Sequence, residues 1–284
     1  MNIRIITGFL LLSVIVQAGC AADRSTYASA AELREAAKPL LVPAPASKDQ
    51  NADRGKRDRE FMVEYLGSKD PELQNAAADI LAQNMLCFQP IRGSLFVPYL
   101  GAEFPANVRI VALAYSLWGK TGQSEHRPQT DERFDTMKEM WGQVLNSLAQ
   151  QEGLSDASWS ALIISQDSAG EPGQVLGLLT DGNKPFVADR LALLIKGTDG
   201  SRMLSGVMSS LNYLGLDVAV PSLVKWYKQE SDPSARLAAL NHLGLLNGSR
   251  LTHQERQAQL LPLLQLATAD ADPEIAAKAK ELMK

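Results

Sequence analysis

The feature that most constrains the fold of this chain is a helix opening that occurs three times. Asp70–Pro71, Asp232–Pro233 and Asp272–Pro273 each place an acidic residue directly before a proline. The Asp side chain can accept hydrogen bonds from the free N–H groups of a helix start, and proline suits the first helical position. An apolar residue follows each Asp by three positions and an alanine by seven: Leu73, Ala235 and Ile275, then Ala77, Ala239 and Ala279. We call these Asp-Pro openings the corners, and their shared pattern predicts three helices that begin in the same way.

The corners recur at the spacing of a helix pair. Asp232 and Asp272 are 40 residues apart, and 35 residues separate Asp70 from Pro105, where the pattern continues without the Asp. An apolar segment containing a proline precedes each of the last two corners, and we expect Pro221 near the start of the first of these helices. A period of this size made of two helices is typical of an α-solenoid, in which stacked pairs bury each other's apolar faces.

The Asp-Pro corner, the apolar position, the arginine after it and the alanine together resemble HEAT repeats, especially the short bacterial kind also seen in phycobilisome lyases. The resemblance covers four units and is poor from residue 125 to 200. It implies an all-α fold: a right-handed solenoid of roughly five or six HEAT-like helix pairs, forming a repeat domain from Arg54 to Lys284. Arg109 and Arg236 share the arginine position. In the family this residue braces neighbouring turns through Asp partners.

Apolar stripes predict further helices outside the clear repeats. Thr252 and Glu255 fit a capping box, in which each side chain satisfies the other's backbone N–H, and should start the first helix of the last unit. Ser155 can cap a helix over Trp159–Gln166. The other segments with apolar residues at helical spacing are Ala30–Lys38, Arg133–Gln151, Gln174–Leu179, Pro185–Lys196 and Arg202–Leu214.

The first 19 residues read as an export signal. Arg4 supplies a positive start, Ile5–Val16 is an apolar run too short for an ordinary transmembrane helix, and Ala18–Cys20 follows. This ending resembles a bacterial lipoprotein signal, in which the cysteine becomes the lipidated first residue of the mature protein, although Gln17 stands where the family usually has an apolar residue. The alternative is an ordinary secretory signal cut after Ala22.

Lipidation at Cys20 would make residues 20–53 a lipid-anchored flexible tether, with one short helix in it and Pro39 to Asp53 extended. Because Ala21 rather than Asp follows the cysteine, the lipoprotein resemblance implies a bacterial cell envelope protein at the outer membrane, facing the periplasm. Cys87 is then the only other cysteine, so no disulfide framework is possible, and we expect it to be a buried apolar thiol.

Composition and motifs argue against several classes of function. A net charge of −4 and a pI near 5.5 do not favour a nucleic-acid binder. The three histidines, His126, His242 and His253, have no ligand-spaced partner, so we predict no metal site and no cofactor. Ser222 and Lys225 match a short string of serine β-lactamases, but the order of the accompanying strings is reversed. We therefore predict that the protein is not an enzyme.

The remaining prediction is a non-enzymatic scaffold that holds a protein or peptide partner, of unknown identity, in a groove. Arg109, Trp118, Asn241 and His242 are the candidates for that groove, on the second helices of their units. Trp226 and Tyr227, on a first helix, mark the opposite face as the other surface to consider. The alternative function is an enzyme or cofactor-attachment factor, by analogy with the lyases that bear similar repeats. Those lyases are cytosolic, whereas this chain carries an export signal.

Overall fold

The protein is all-helical throughout the part of the chain that its structure, a computed structural model, describes: residues 27–41, 60–86, 91, 93–118, 132–168, 175–195, 201–246 and 251–284. No strand occurs in these ranges. The α-helices are α1 (Ala30–Ala37), α2 (Pro71–Leu86), α3 (Ala106–Trp118), α4 (Glu132–Leu148), α5 (Asp156–Ser168), α6 (Lys184–Leu193), α7 (Ser201–Leu214), α8 (Leu216–Gln229), α9 (Pro233–Asn241), α10 (His253–Thr268) and α11 (Pro273–Leu282). Short 3-10 helices cover Lys38–Leu40, Val63–Gly67, Gly93–Leu95, Val97–Leu100, Leu176–Leu178 and Leu243–Leu245.

The Asp-Pro corners begin helices as predicted. A carboxylate oxygen of Asp70 accepts from the backbone N–H two residues later at 2.9 Å, and Asp232 does the same at 2.9 Å. Asp272 accepts from two backbone N–H groups at 2.8 and 3.3 Å. The capping box of Thr252 at the start of α10 is confirmed, and Ser155 caps α5 by accepting from the N–H of Ser158 at 3.2 Å.

Pro221 is not near the start of its helix, contrary to the prediction. Helix α8 begins at Leu216, directly after Gly215, whose φ of +97° favours glycine. Pro221 therefore lies inside α8, where its missing N–H removes one backbone hydrogen bond. Pro262 lies inside α10 in the same way. Both prolines are exposed, so each helix loses that bond on its solvent side.

Three of the middle segments are shorter than the apolar stripes predicted, whereas α5 extends beyond the predicted range of 159–166 at both ends. Helix α4 ends at Leu148 rather than at residue 151, and α6 ends at Leu193 rather than at residue 196. The stripe proposed for 174–179 forms only the 3-10 helix Leu176–Leu178, since a turn that begins at Thr180 follows it closely. An apolar stripe therefore overestimates helix length where a turn interrupts it.

The N-terminal helices pack as a compact group. Helix α2 lies against α3 and α5, and α3 also lies against α5. Tyr115 of α3 connects two parts of this group. Its ring stacks on Phe96 with centroids 4.1 Å apart, and its hydroxyl donates a hydrogen bond to the carbonyl of Leu81 in α2 at 2.9 Å. In a strictly one-dimensional stack each unit touches only its neighbours, so the contact between α2 and α5 is a departure from that scheme.

The C-terminal helices are arranged more regularly. Helix α6 packs on α8, α8 packs on α10, and α9 packs on α11. Helices α10 and α11 lie against each other, and α7 connects this group to the first by packing on α5. First helices of successive pairs thus touch first helices, and second helices touch second helices, over the last two pairs.

The folded body begins earlier than residue 54. Helix α1 lies inside the predicted tether, yet it packs against α2 with Leu33 and Ala37 fully buried. Pro39 and Leu40 belong to a 3-10 helix rather than to an extended linker. The tether prediction is therefore wrong for residues 27–41. Residues 42–59 lie outside the described residues, as do the export signal, Cys20 and Cys87.

Candidate functional site

Three corners of the repeat carry the same polar contact. Gln74, Arg109 and Arg236 each lie four residues after the residue that opens the corner. Each donates a side-chain N–H to the carbonyl at or next to the end of the preceding helix: Gln74 to Leu66 at 3.1 Å, Arg109 to Leu100 at 3.4 Å and Arg236 to Glu230 at 2.8 Å. We call these three contacts the corner braces. They satisfy carbonyls that a helix end leaves without an intrahelical partner.

Both arginines also reach the following helix pair. Arg236 Nη2 donates to Oδ1 of Asp270, between α10 and α11, at 3.1 Å. Arg109 Nη2 donates to the Ser147 hydroxyl of α4 at 2.8 Å. The Asp partner that the resemblance implies is present for Arg236, but Arg109 uses a serine. The corner braces therefore join one pair to the next with different chemistry at each junction.

The carboxylate of Asp270 is the centre of the most densely bonded junction. Its side chain is only 5% exposed, and it accepts from the Tyr227 hydroxyl at 2.5 Å and from the backbone N–H of Asp272 at 3.0 Å. Arg236 Nε lies 3.1 Å from Oδ2, close enough for an ion pair but not aligned for a hydrogen bond. The guanidinium carbon also lies 5.6 Å from the centre of the Tyr227 ring, over its face.

These contacts shift two pKa values in opposite directions. Burial alone would raise the pKa of Asp270, but the hydrogen bonds from Tyr227 and Asp272 and the charge of Arg236 together hold it below its ordinary value. Burial raises the pKa of Tyr227, and its hydrogen bond to Asp270 raises it further. At neutral pH the junction therefore holds an ionised carboxylate, a neutral phenol and a guanidinium, which is a satisfied structural cluster rather than a poised acid or base.

Two asparagines fix other corners. Asn107 of α3 accepts from the N–H of Ser155 at 3.0 Å, just before α5 begins. Asn146 of α4 accepts from the N–H of Thr180 at 2.9 Å and donates to the carbonyl of Leu178 at 2.9 Å. Sequence reasoning missed Gln74 and both asparagines. The register of the repeat could have indicated Gln74, whereas the partners of the asparagines are set by tertiary packing.

The predicted groove residues differ in exposure and lie on helices with different neighbours. Arg109 is 8% exposed and fully engaged in its brace, so it is unavailable to a partner. Asn241 is exposed as the last residue of α9, and His242 is half-buried with Nδ1 2.9 Å from the carbonyl of Ala238. Trp118 ends α3, and its side chain lies outside the described part. Helix α3 packs on α2, α4 and α5, whereas α9 packs on α11.

The surface around Trp226 and Tyr227 is also not accessible to a partner. Trp226 and Tyr227 are 4% and 5% exposed, so they belong to the core of their junction and not to a binding face. The most exposed large apolar side chain is Phe186 of α6, at 49%, followed by Leu193 of α6 and Tyr213 of α7, each at 47%. Phe186 and Leu193 are seven residues apart and therefore lie on one side of α6. This pair, which we call the α6 face, was not predicted.

The comparisons with known proteins give no relative. No protein-family model matches the chain, and neither a curated protein nor a solved structure matches it significantly. Among the described residues, no three His, Cys, Asp or Glu side chains are grouped so that they could hold a metal ion. None of the described helices is both long enough and apolar enough to cross a membrane.

Proposed function

We propose that the chain is a lipid-anchored scaffold of the bacterial cell envelope, built as a HEAT-like solenoid, which holds a protein or peptide partner without catalysing a reaction. The observation that carries the proposal is the set of corner braces. A polar contact repeated at one register position of Gln74, Arg109 and Arg236 is what repetition of one structural unit would produce. Repeat proteins commonly use the extended surface of their stacked units for binding.

The anchor part of the proposal rests on the first 20 residues. A positive start, a short apolar run and small residues before Cys20 fit a lipoprotein signal better than a signal without lipid, because the cysteine stands directly after the small residues that end the apolar run. We expect Cys20→Ser to release the protein from the membrane fraction or to stop its processing. A variant that still sediments with the envelope in high salt would contradict the anchor.

The binding part of the proposal uses the α6 face. Exposed apolar patches often mark surfaces that a partner covers, and a few well-buried anchor residues then carry most of the binding energy. Between Phe186 and Leu193, Asp189 is paired with Lys225 of α8 at 2.6 Å, so the apolar pair has charged groups beside it. An apolar centre with a polar border is the usual composition of a protein-binding surface.

The test is crosslinking in intact envelopes followed by capture of the crosslinked partner. The double variant Phe186→Ser, Leu193→Ser should lose the partner while keeping the thermal stability of the wild type. Leu261→Ser on α10, where the leucine is 37% exposed, is the matched control and should keep the partner. Full capture of the partner by the double variant would exclude the α6 face as the binding surface. Turnover of a substrate by the purified protein would favour the enzyme alternative.

A further inference from the structure

The folded body begins a few residues after the cysteine that we propose carries the lipid. The backbone N–H of Tyr27 donates to the Tyr65 hydroxyl at 2.9 Å. The ring of Tyr27 packs against Phe61 and Tyr65, with centroids 6.3 and 5.9 Å away. Helix α1 then lies against α2, with Leu33 fully buried. The chain is therefore fixed to the body from Tyr27 onward.

Covalent geometry limits the distance between Cys20 and Tyr27. The seven Cα-to-Cα steps between them span at most about 25 Å when fully extended, whereas a tether reaching Asp53 would span more than about 100 Å. Helix α2, with 16 residues, is itself about 24 Å long. The greatest reach of the anchor is therefore about the length of one helix of the body that it holds.

We infer that α1 and the 3-10 helix Val63–Gly67 form the membrane-proximal end of the body, and that α11 lies farther from the bilayer. This inference rests on the proposed lipidation of Cys20. An anchor with so short a reach keeps Tyr27 within about 25 Å of the lipidated cysteine, whereas no such limit applies to α11. The exposed charges of α1 and its following residue, Glu32, Arg34, Glu35 and Lys38, balance, so they do not oppose the approach to lipid.

Among the described helices, α11 is separated from α1 by the longest path of helix contacts, and we call α11 with its neighbour α10 the far end of the body. The path of helix contacts from α1 to α11 runs through α2, α5, α7, the 3-10 helix Leu243–Leu245 and α9. Each step between packed helices is about 8–10 Å. A partner bound at the far end would meet the protein away from the bilayer, and a partner bound at the near end must itself lie at the membrane.

The experiment measures the distance of two matched sites from the lipid surface. Ala31 on α1 and Ala277 on α11 are both exposed alanines, so each can be changed to cysteine and labelled with a fluorophore in the full chain carrying Cys87→Ser. The sulfur of Cys20 carries the lipid and therefore does not react with the label. The lipidated protein is placed in phosphatidylcholine vesicles containing an acceptor lipid labelled at its headgroup, with a short Förster distance.

The expected result is strong energy transfer at position 31 and weak transfer at position 277. Insertion of a 20-residue Gly-Ser linker between Ala22 and Asp23 should remove most of the transfer at position 31. Equal transfer at both positions in vesicle-bound protein without the linker would overturn the inference that α1 is closer to the bilayer than α11. Protein that does not stay on the vesicles, or whose mass shows no acyl chains, would instead overturn the anchor and with it the proposed function.

Discussion

Arg236 and Asp270 join two helix pairs across 34 residues of sequence through a hydrogen bond of 3.1 Å. Both side chains are largely removed from solvent, at 17% and 5% exposure. Asp270 also accepts hydrogen bonds from the Tyr227 hydroxyl and from the backbone N–H of Asp272. Arg236 also donates a hydrogen bond to the carbonyl of Glu230. One residue pair therefore connects α8, α9 and the corner that opens α11.

We expect Arg236→Ala to be more harmful than Asp270→Ala. Removing the arginine leaves a buried carboxylate without its cation, which costs about 3–5 kcal/mol in the free energy of unfolding. Removing Asp270 leaves an arginine that is more exposed and can be hydrated, so the loss should be smaller. The double variant should lose less than the sum, with a coupling of about 0.5–3 kcal/mol in urea unfolding. Simple additivity would mean that the pair does not interact.

The same junction should make stability depend on pH in acid. Because the pKa of Asp270 in the folded protein is below its ordinary value of 3.8, its ionised form stabilises the fold above that value. This contribution is lost as the pH falls through the lower pKa of the folded state. The stability difference between wild type and Asp270→Asn should therefore shrink between about pH 6 and about pH 3. A difference that stays constant over this range would show that the ionisation of Asp270 does not stabilise the junction.

The helix corners could be predicted from sequence because their chemistry is local. The Asp272 carboxylate caps the N–H groups that follow it within three residues, and the Thr252 capping box has the same short range. The position of Pro221 was wrong for a related reason. Proline is a frequent first residue of a helix, and that preference hid the stronger start signal of Gly215 with its positive φ.

The site could be predicted only in part because its partners are distant in sequence. The position of Arg236 follows from the repeat, but neither its bond to Asp270 nor the burial of Tyr227 can be read from spacing. The contact between α2 and α5 likewise joins helices that a simple stack would keep apart. Exposure of Phe186 depends on how α6 is rotated, and periodicity does not fix that rotation.

The Asp232 carboxylate that caps α9 should stabilise the fold. Asp232→Ala removes the acceptor for the N–H of Ser234, now at 2.9 Å, and should lower stability by about 0.5–2 kcal/mol. Asp232→Asn keeps an acceptor oxygen and should lose much less. Thermal unfolding of both variants beside the wild type gives the answer. Equal stability of the alanine and asparagine variants would show that the cap is not formed in solution.

The brace of Arg109 should matter more than an exposed ion pair of the same residue type. Arg109→Met keeps much of the side-chain volume but removes the bonds to Leu100 and Ser147, with an expected cost of about 1.5–3 kcal/mol. Arg34→Met is the control: this arginine is 53% exposed and lies 3.8 Å from Asp79, so its loss should cost less than about 1 kcal/mol. Chemical denaturation of both variants measures the difference in the free energy of unfolding. Similar losses would mean that the bonds of Arg109 stabilise the fold no more than an exposed ion pair does.

The last prediction concerns the approach of α7 to α5. A Cβ added at Gly206 would lie 2.9 Å from Cγ2 of Ile163, closer than two carbon atoms can pack. Gly206→Ala should gain about 1 kcal/mol of helix propensity but lose about 1–3 kcal/mol by overpacking, so the net change should be destabilising. Gly244→Ala is the control because nothing lies within 4 Å of its added Cβ, and this change should stabilise by about 0.4–1 kcal/mol. Urea unfolding should therefore move the two midpoints in opposite directions. If Gly206→Ala instead raises the midpoint as Gly244→Ala does, then α7 and α5 are farther apart in solution than the structure places them.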